Sequence, residues 1–208
     1  MGLRLILLRH GLTQWNREGR YQGCVDTRLC PDGVAQAQAA ARALASRPLA
    51  AIYSSPLWRA RETAEAIATP HRLAVRTVPG FGELCLGLWE GLTVEEVKAQ
   101  FPDLYREWRE TPEKVTMPNG ESLRAVRERV LDGLKSLRAD HEGEVVCLVA
   151  HAATVRVLIL EALGLPLGRL WAVQCSPGGL SELEFGSGPA TLHRMNVVGH
   201  LDATGQGR

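Results

Sequence analysis

Three short runs constrain this chain more than anything else in it: LRLILL (3–8), AAIYSS (50–55) and EVVCLVAH (144–151). A strand with one wet face alternates apolar and polar residues, whereas one covered on both faces reads as a continuous apolar run. These three runs therefore predict central strands of a sheet with helices on either side. Helical patterns fill the intervals. GVAQAQAAARALASR (33–47) is alanine-rich with an apolar stripe, and PLWRARETAEAIA (56–68) puts Pro56 in a first turn behind Ser55 as N-cap. TVEE (93–96) is a capping box, and SLRAVRERVLDGLKSLRADH (122–141) is long and amphipathic. ATVRVLILEALG (153–164) stops at Gly164 with Pro166 beyond it. LSELEF (180–185) and TLHRMN (191–196), joined by GSGPA, predict a hairpin at the sheet edge.

The alternation predicts an α/β fold, a three-layer α/β/α sandwich whose central sheet is mostly parallel. One domain is expected over 1–203, with 204–208 a flexible tail. The stretch 80–121, rich in Gly, Pro and Trp, breaks the alternation and reads as an insertion over one end of the sheet. The formal net charge of +1 over 208 residues gives no global field for nucleic acid or a membrane surface. The N-terminal apolar stretch is too short to span a bilayer or to form a signal-peptide core. Five cysteines at 24, 30, 85, 147 and 175, an odd number without a CxxC pair, suit a reducing cytoplasm. That spacing argues against a disulfide framework and against a structural zinc site.

Ligands of open α/β sheets bind beyond the carboxyl ends of the strands. Arg9 and His10 follow the first run, Ser54, Ser55 and Arg59 the second, and His151 ends the third. Separate segments thus deliver two histidines and two arginines to one edge. There is no GxxxxGK[ST], GxGxxG or GxSxG pattern, no cysteine with an arginine six positions later, and no HExxH. What remains is a site built on His and Arg without a metal or cofactor, and a phosphoryl group is its natural ligand. Guanidinium forks match phosphate oxygens, and a neutral imidazole kept so by those arginines can attack phosphorus. Glu83, in GFGELCLGLWEG (80–91), is the carboxyl able to protonate the leaving oxygen, with Glu90 as its rival. Gly11 then reads as room for the phosphoryl group.

RHGLTQWN (9–16), YQG (21–23), SSPLWRARETA (54–64), GELCLGLWEG (82–91), PNGES (118–122) and VAHAATVR (149–156) occur in this order. Together they resemble the histidine phosphatase superfamily, of phosphoglycerate mutase-like fold, nearest its broad-specificity phosphatases. The resemblance implies that His10 is the phosphorylated nucleophile and Glu83 the proton donor. It implies a phosphate pocket of Arg9, Arg59 and His151, with Asn16, Gln22, Gly23 and Ala152 near the phosphoryl group or substrate. The implied activity is metal-independent, broad hydrolysis of small phosphorylated metabolites through phosphohistidine in a cytoplasmic monomer or homodimer. Phosphate or sulfate is the expected pocket ligand, and no nucleic acid or membrane is an expected partner. Alternatives are a cofactor-dependent phosphoglycerate mutase, a phosphatase dedicated to α-ribazole phosphate, a sugar phosphate or glucosyl-3-phosphoglycerate, or a catalytically weak phospho-ligand binder.

Three residues depart from the family pattern: Ala152 for glycine, Glu62 for glutamine, and Cys30 where Ser or Thr caps a helix. Glu62, one turn from Arg59, is expected to orient or partly neutralise it. The basic residues of 124–138 read as a solvated face, and the tryptophans as core or pocket wall.

Overall fold

The computed structural model describes residues 2–204, so the expected tail, all but its first residue, lies outside the described residues. Six strands form one sheet: β1 (Leu3–Arg9), β2 (Leu49–Ser54), β3 (Val75–Thr77), β4 (Val145–Ala150), β5 (Leu180–Phe185) and β6 (Thr191–Val197). Their order is β3-β2-β4-β1-β5-β6, and the first four are mutually parallel. β5 runs antiparallel to β1, and β6 pairs antiparallel with β5 as the outer arm of the expected hairpin.

Among the described residues the α-helices are α1 (Gln14–Arg17), α2 (Pro31–Leu44), α3 (Trp58–His71), α4 (Val94–Gln100), α5 (Pro102–Glu110), α6 (Leu123–Asp140) and α7 (Ala152–Ala162). In β1, Ile6 and Leu8 pack with Ala40 and Leu44 of α2 and Ala64 and Ile67 of α3. Leu5 and Leu7 face the other way, toward Val126 and Val130 of α6 and Leu158 of α7. Successive strand residues point to opposite faces, so LRLILL serves two cores at once. That is the three-layer sandwich the apolar runs imply. Phe81, Trp89 and Trp108 from 80–121 join the second core, which fixes that segment over the same face.

Several local expectations change. α3 begins at Trp58, not at Pro56, and Ser55 is not its N-cap. The Trp58 N–H is taken instead by Asp26 Oδ1 at 2.7 Å, across the molecule. α2 starts at Pro31 with Cys30 in the capping position but making no side-chain bond, as its chemistry implies. Thr93 and Glu96 form the predicted capping box of α4. β3 is three residues long, too short to show a period.

The cysteine expectation is overturned. Cys24 and Cys85 form a disulfide, 61 residues apart in sequence with Cα atoms 4.8 Å apart. The pairing follows from two loops meeting in space, which the spacing does not reveal. Cys30, Cys147 and Cys175 are free and buried, and burial in the core raises the Cys147 thiol to about 12. No helix among the described residues is long and apolar enough to cross a membrane.

Candidate active site

β2, β4 and β1 are neighbours and parallel, so their carboxyl ends come together. Arg9 stands opposite Ala150, and Ser54 opposite Val149. Backbone bonds extend the ladder past the strands: His10 N donates to Ala150 O at 3.0 Å and Ser55 N to Val149 O at 3.1 Å. His10 and His151 are thereby buried side by side, their ring centroids 5.1 Å apart.

His10 Nδ1 lies 2.7 Å from Gly11 O, an atom that can only accept, so Nδ1 carries the proton and Nε2 keeps its lone pair. Burial, then the Arg59 and Arg9 guanidiniums, hold the His10 pKa well below the ordinary histidine range. Burial and Arg59 do the same to His151. Its Nε2 meets Ser55 Oγ at 2.7 Å, and its Nδ1 is buried with no partner among the described residues. A Ser55 hydroxyl that donates to Nε2 leaves the His151 proton on Nδ1, and one that accepts puts it on Nε2.

Arg59 projects from the first turn of α3 and donates to Val25 O at 2.7 Å and Gly23 O at 2.8 Å. Burial lowers it to about 10, against the pull of Glu83 and Asp26. Arg9 Nη1 donates to Cys175 O at 2.7 Å, and the Nε groups of both arginines are buried without partners among the described residues. The Glu83 carboxylate accepts from Leu84 N at 2.9 Å and from Ala153 N at 3.1 Å, in the first turn of α7.

Asn16 and Gln22 also line the cavity, each with its amide oxygen engaged: Asn16 by Thr13, Gln22 by Thr27. Their amide nitrogens make no bond to the described residues and remain available. Ala152 opens α7 at the cavity wall. Gly23 lines the cavity too, and its carbonyl holds Arg59. Its φ of +54° and the Glu90 carboxylate, which a Cβ would strike, both demand glycine.

Three sequence expectations are corrected here. Gly11 does not make room for a ligand; a Cβ there would sit 2.5 Å from Gly33 O, so backbone packing requires it. Glu62 does not engage Arg59 but binds Arg28 at 2.7 Å and the Leu29 N–H, which lie in its direction from α3. Arg129 is not part of a solvated face. All five of its N–H donors are used, on Gly80 O, Gly82 O, Glu83 O and both oxygens of Glu121, at 2.8–3.1 Å. It grips the loop that carries Glu83. Glu90, the rival acid, accepts from Cys24 N and Leu86 N and braces the two loops that the disulfide also joins. Thr63, which accepts from Gly11 N and donates to Arg59 O, escaped the sequence reading because a threonine inside a helix carries no signal.

Above these groups lies a cavity of about 300 Å³, walled by Leu84, Leu86, Tyr105, Trp108 and Trp171. A wider groove of about 820 Å³ near Leu3, Leu134 and Phe185 contains no histidine and lies away from these strand ends.

Fold and site define a class: a phosphoric monoester hydrolase of the α/β type. The chain belongs to the histidine phosphatase superfamily, branch 1, whose family model matches residues 5–198. It is 36% identical over 199 residues to phosphoserine phosphatase 1 of Hydrogenobacter thermophilus, covering 96% of this chain and 94% of that one. Among solved structures, Bacillus stearothermophilus YhfR superposes with a TM-score of 0.90 at 30% identity, over 96% of this chain and 99% of that one. A mycobacterial glucosyl-3-phosphoglycerate phosphatase in complex with VO3 gives 0.87 at 32% identity, over 94% and 99%.

Proposed function

We propose that the protein hydrolyses small phosphomonoesters through a phosphohistidine formed on His10 Nε2. The observation that carries this reading is the His10 ring: buried, oriented by Gly11 O, and pressed toward its neutral form by two arginines. In the first half-reaction Nε2 attacks phosphorus, the ester P–O bond breaks, and Glu83 gives a proton to the departing oxygen. In the second, Glu83 takes a proton from water, the water oxygen attacks phosphorus, and the N–P bond breaks to release phosphate. Arg9, Arg59 and His151 hold the phosphoryl oxygens, with the Asn16 and Gln22 amides beside them.

The aromatic and apolar walls suit several leaving groups, and the names of the relatives point to small phosphorylated metabolites. The Cys24–Cys85 disulfide takes away the cysteine argument for a reducing compartment, so the cytoplasmic reading rests on the small-metabolite chemistry alone. The positive charge in the proposed phosphate pocket comes from side chains, so turnover is expected to persist in EDTA.

The test is His10→Ala on p-nitrophenyl phosphate. Turnover should vanish, and retained hydrolysis by the pure variant would overturn the mechanism. Phosphate release from 3-phosphoglycerate without bisphosphoglycerate, and without isomerisation to 2-phosphoglycerate, separates hydrolysis from mutase chemistry.

A further inference from the structure

The cavity holds more positive charge than one phosphoryl group uses. Five arginines line it and only one carboxylate, Glu83. Arg9 and Arg59 converge on the histidines, and Arg20 is answered by Glu18 and Glu96. Arg109 and Arg156 have no carboxylate partner among the described residues.

These two flank an aromatic wall. The Arg109 Cζ lies 4.2 Å from the centroid of Trp171, and the Arg156 Cζ lies 5.1 Å from the same ring. Trp171 is itself fixed: its Nε1 donates to Trp108 O at 2.9 Å, and the Trp108 ring meets it edge-on. Arg156 Nε donates to Val173 O at 2.9 Å, which sets the plane of the guanidinium and leaves both Nη groups without a partner among the described residues. Arg156 stands on α7 one turn beyond Ala153, whose N–H holds Glu83, so its distance from the reacting centre is set by a rigid helix. Burial, with Arg9 and Arg109 nearby, pushes its pKa down against the opposing pull of Cys175 and Glu83.

We propose that Arg156, with Arg109 beside Trp171, forms a second anion subsite that takes a carboxylate of the substrate. The preferred substrates are then short phosphomonoesters of hydroxy acids. A guanidinium fork pairs with a carboxylate through two parallel bonds, and a cavity at the small end of the ligand-site range favours a compact anion. This rests on the phosphomonoesterase reading.

The test compares 3-phosphoglycerate with glycerol 3-phosphate, which replaces the carboxylate by a hydroxymethyl group. The wild type should favour the acid in kcat/KM by about ten- to a hundred-fold, the range of one or two charge-assisted bonds. R156M should collapse that ratio, and R156K, which keeps the charge but not the fork, should restore part of it. A folding defect would lower both substrates together and leave the ratio intact. Equal hydrolysis of the two esters by the wild type, or an unchanged ratio in R156M, would overturn the subsite while leaving the phosphatase reading in place. A preference for fructose 1,6-bisphosphate over 3-phosphoglycerate would overturn the carboxylate assignment. Hydrolysis of none of these esters would instead overturn the underlying reading, and the subsite with it.

Discussion

In a Glu83→Gln variant the side chain keeps the oxygen that Leu84 N and Ala153 N use, so the loop and the start of α7 stay joined. What it loses is the capacity to carry a proton. The loss should therefore be that of general acid–base catalysis alone, about 10²- to 10⁴-fold, or roughly 3–5 kcal/mol of barrier. Its size should depend on the leaving group. An alkoxide must be protonated as it departs, so kcat/KM for glycerol 3-phosphate should fall by the whole factor. Nitrophenolate leaves without help, so kcat/KM for p-nitrophenyl phosphate should fall by less than about ten-fold. Breakdown of the phosphohistidine still needs a base for water, so the variant should release a burst of nitrophenol and then turn over slowly. Steady-state kinetics on both esters, with stopped-flow absorbance for the burst, read all of this. A uniform loss on the two substrates, with no burst, would refute the assignment of Glu83 as proton donor.

Arg129→Met removes the clamp on the Glu83 loop; it should cost about 2 kcal/mol of stability by denaturant titration and reproduce the leaving-group-selective loss of the glutamine variant. The Cys24–Cys85 disulfide closes a loop of 61 residues, so reduction or the C24S/C85S double variant should cost up to about 4 kcal/mol, read as a lowered Tm. Thiol titration of the unfolded, unreduced protein should count three cysteines, and a count of five would remove the disulfide. His10 and His151 both have folded pKa values depressed below 6.5, so the unfolded chain binds protons that the native state refuses. Stability should be unaffected by them above that pH and should fall as pH drops below 6.5, by up to about 2.7 kcal/mol per unit with both contributing. His10→Asn should reduce that slope in urea titrations between pH 6.5 and 5, and an unchanged slope would refute the link.

Much of this was legible in the chain because it rests on local patterns. LRLILL and EVVCLVAH read as two-faced strands since each side chain meets a core on its own side, and the capping box at Thr93–Glu96 is a contact within four residues. His10, Arg59, Glu83 and His151 could be proposed together because three of them follow strands that end at one edge. What stayed hidden is tertiary. Nothing near Arg129 shows that its five donors are taken by 80–83 and Glu121, and nothing near Cys24 shows Cys85 across the cavity rim. Trp58 begins α3 because Asp26 reaches its N–H from another loop, which outweighs the local cue of Pro56.

The hidden contacts share one location, the junction of the 20–26 turn with the 80–91 loop. Gly23 O and Val25 O hold Arg59, while the residue between them is bonded to Cys85, two positions after Glu83. Glu90 ties the same two loops through Cys24 N and Leu86 N. In the proposed reaction Arg59 and Glu83 act on opposite ends of the bond that breaks, one on the phosphoryl oxygens and the other on the leaving oxygen. Their separation has to hold within a fraction of an ångström for both to act in one transition state. The strands fix His10 and His151, but neither Arg59 nor Glu83 sits on a strand. Arg59 is aimed by the turn and Glu83 is carried by the loop, so the covalent and carboxylate braces between turn and loop set the distance on which proton transfer depends.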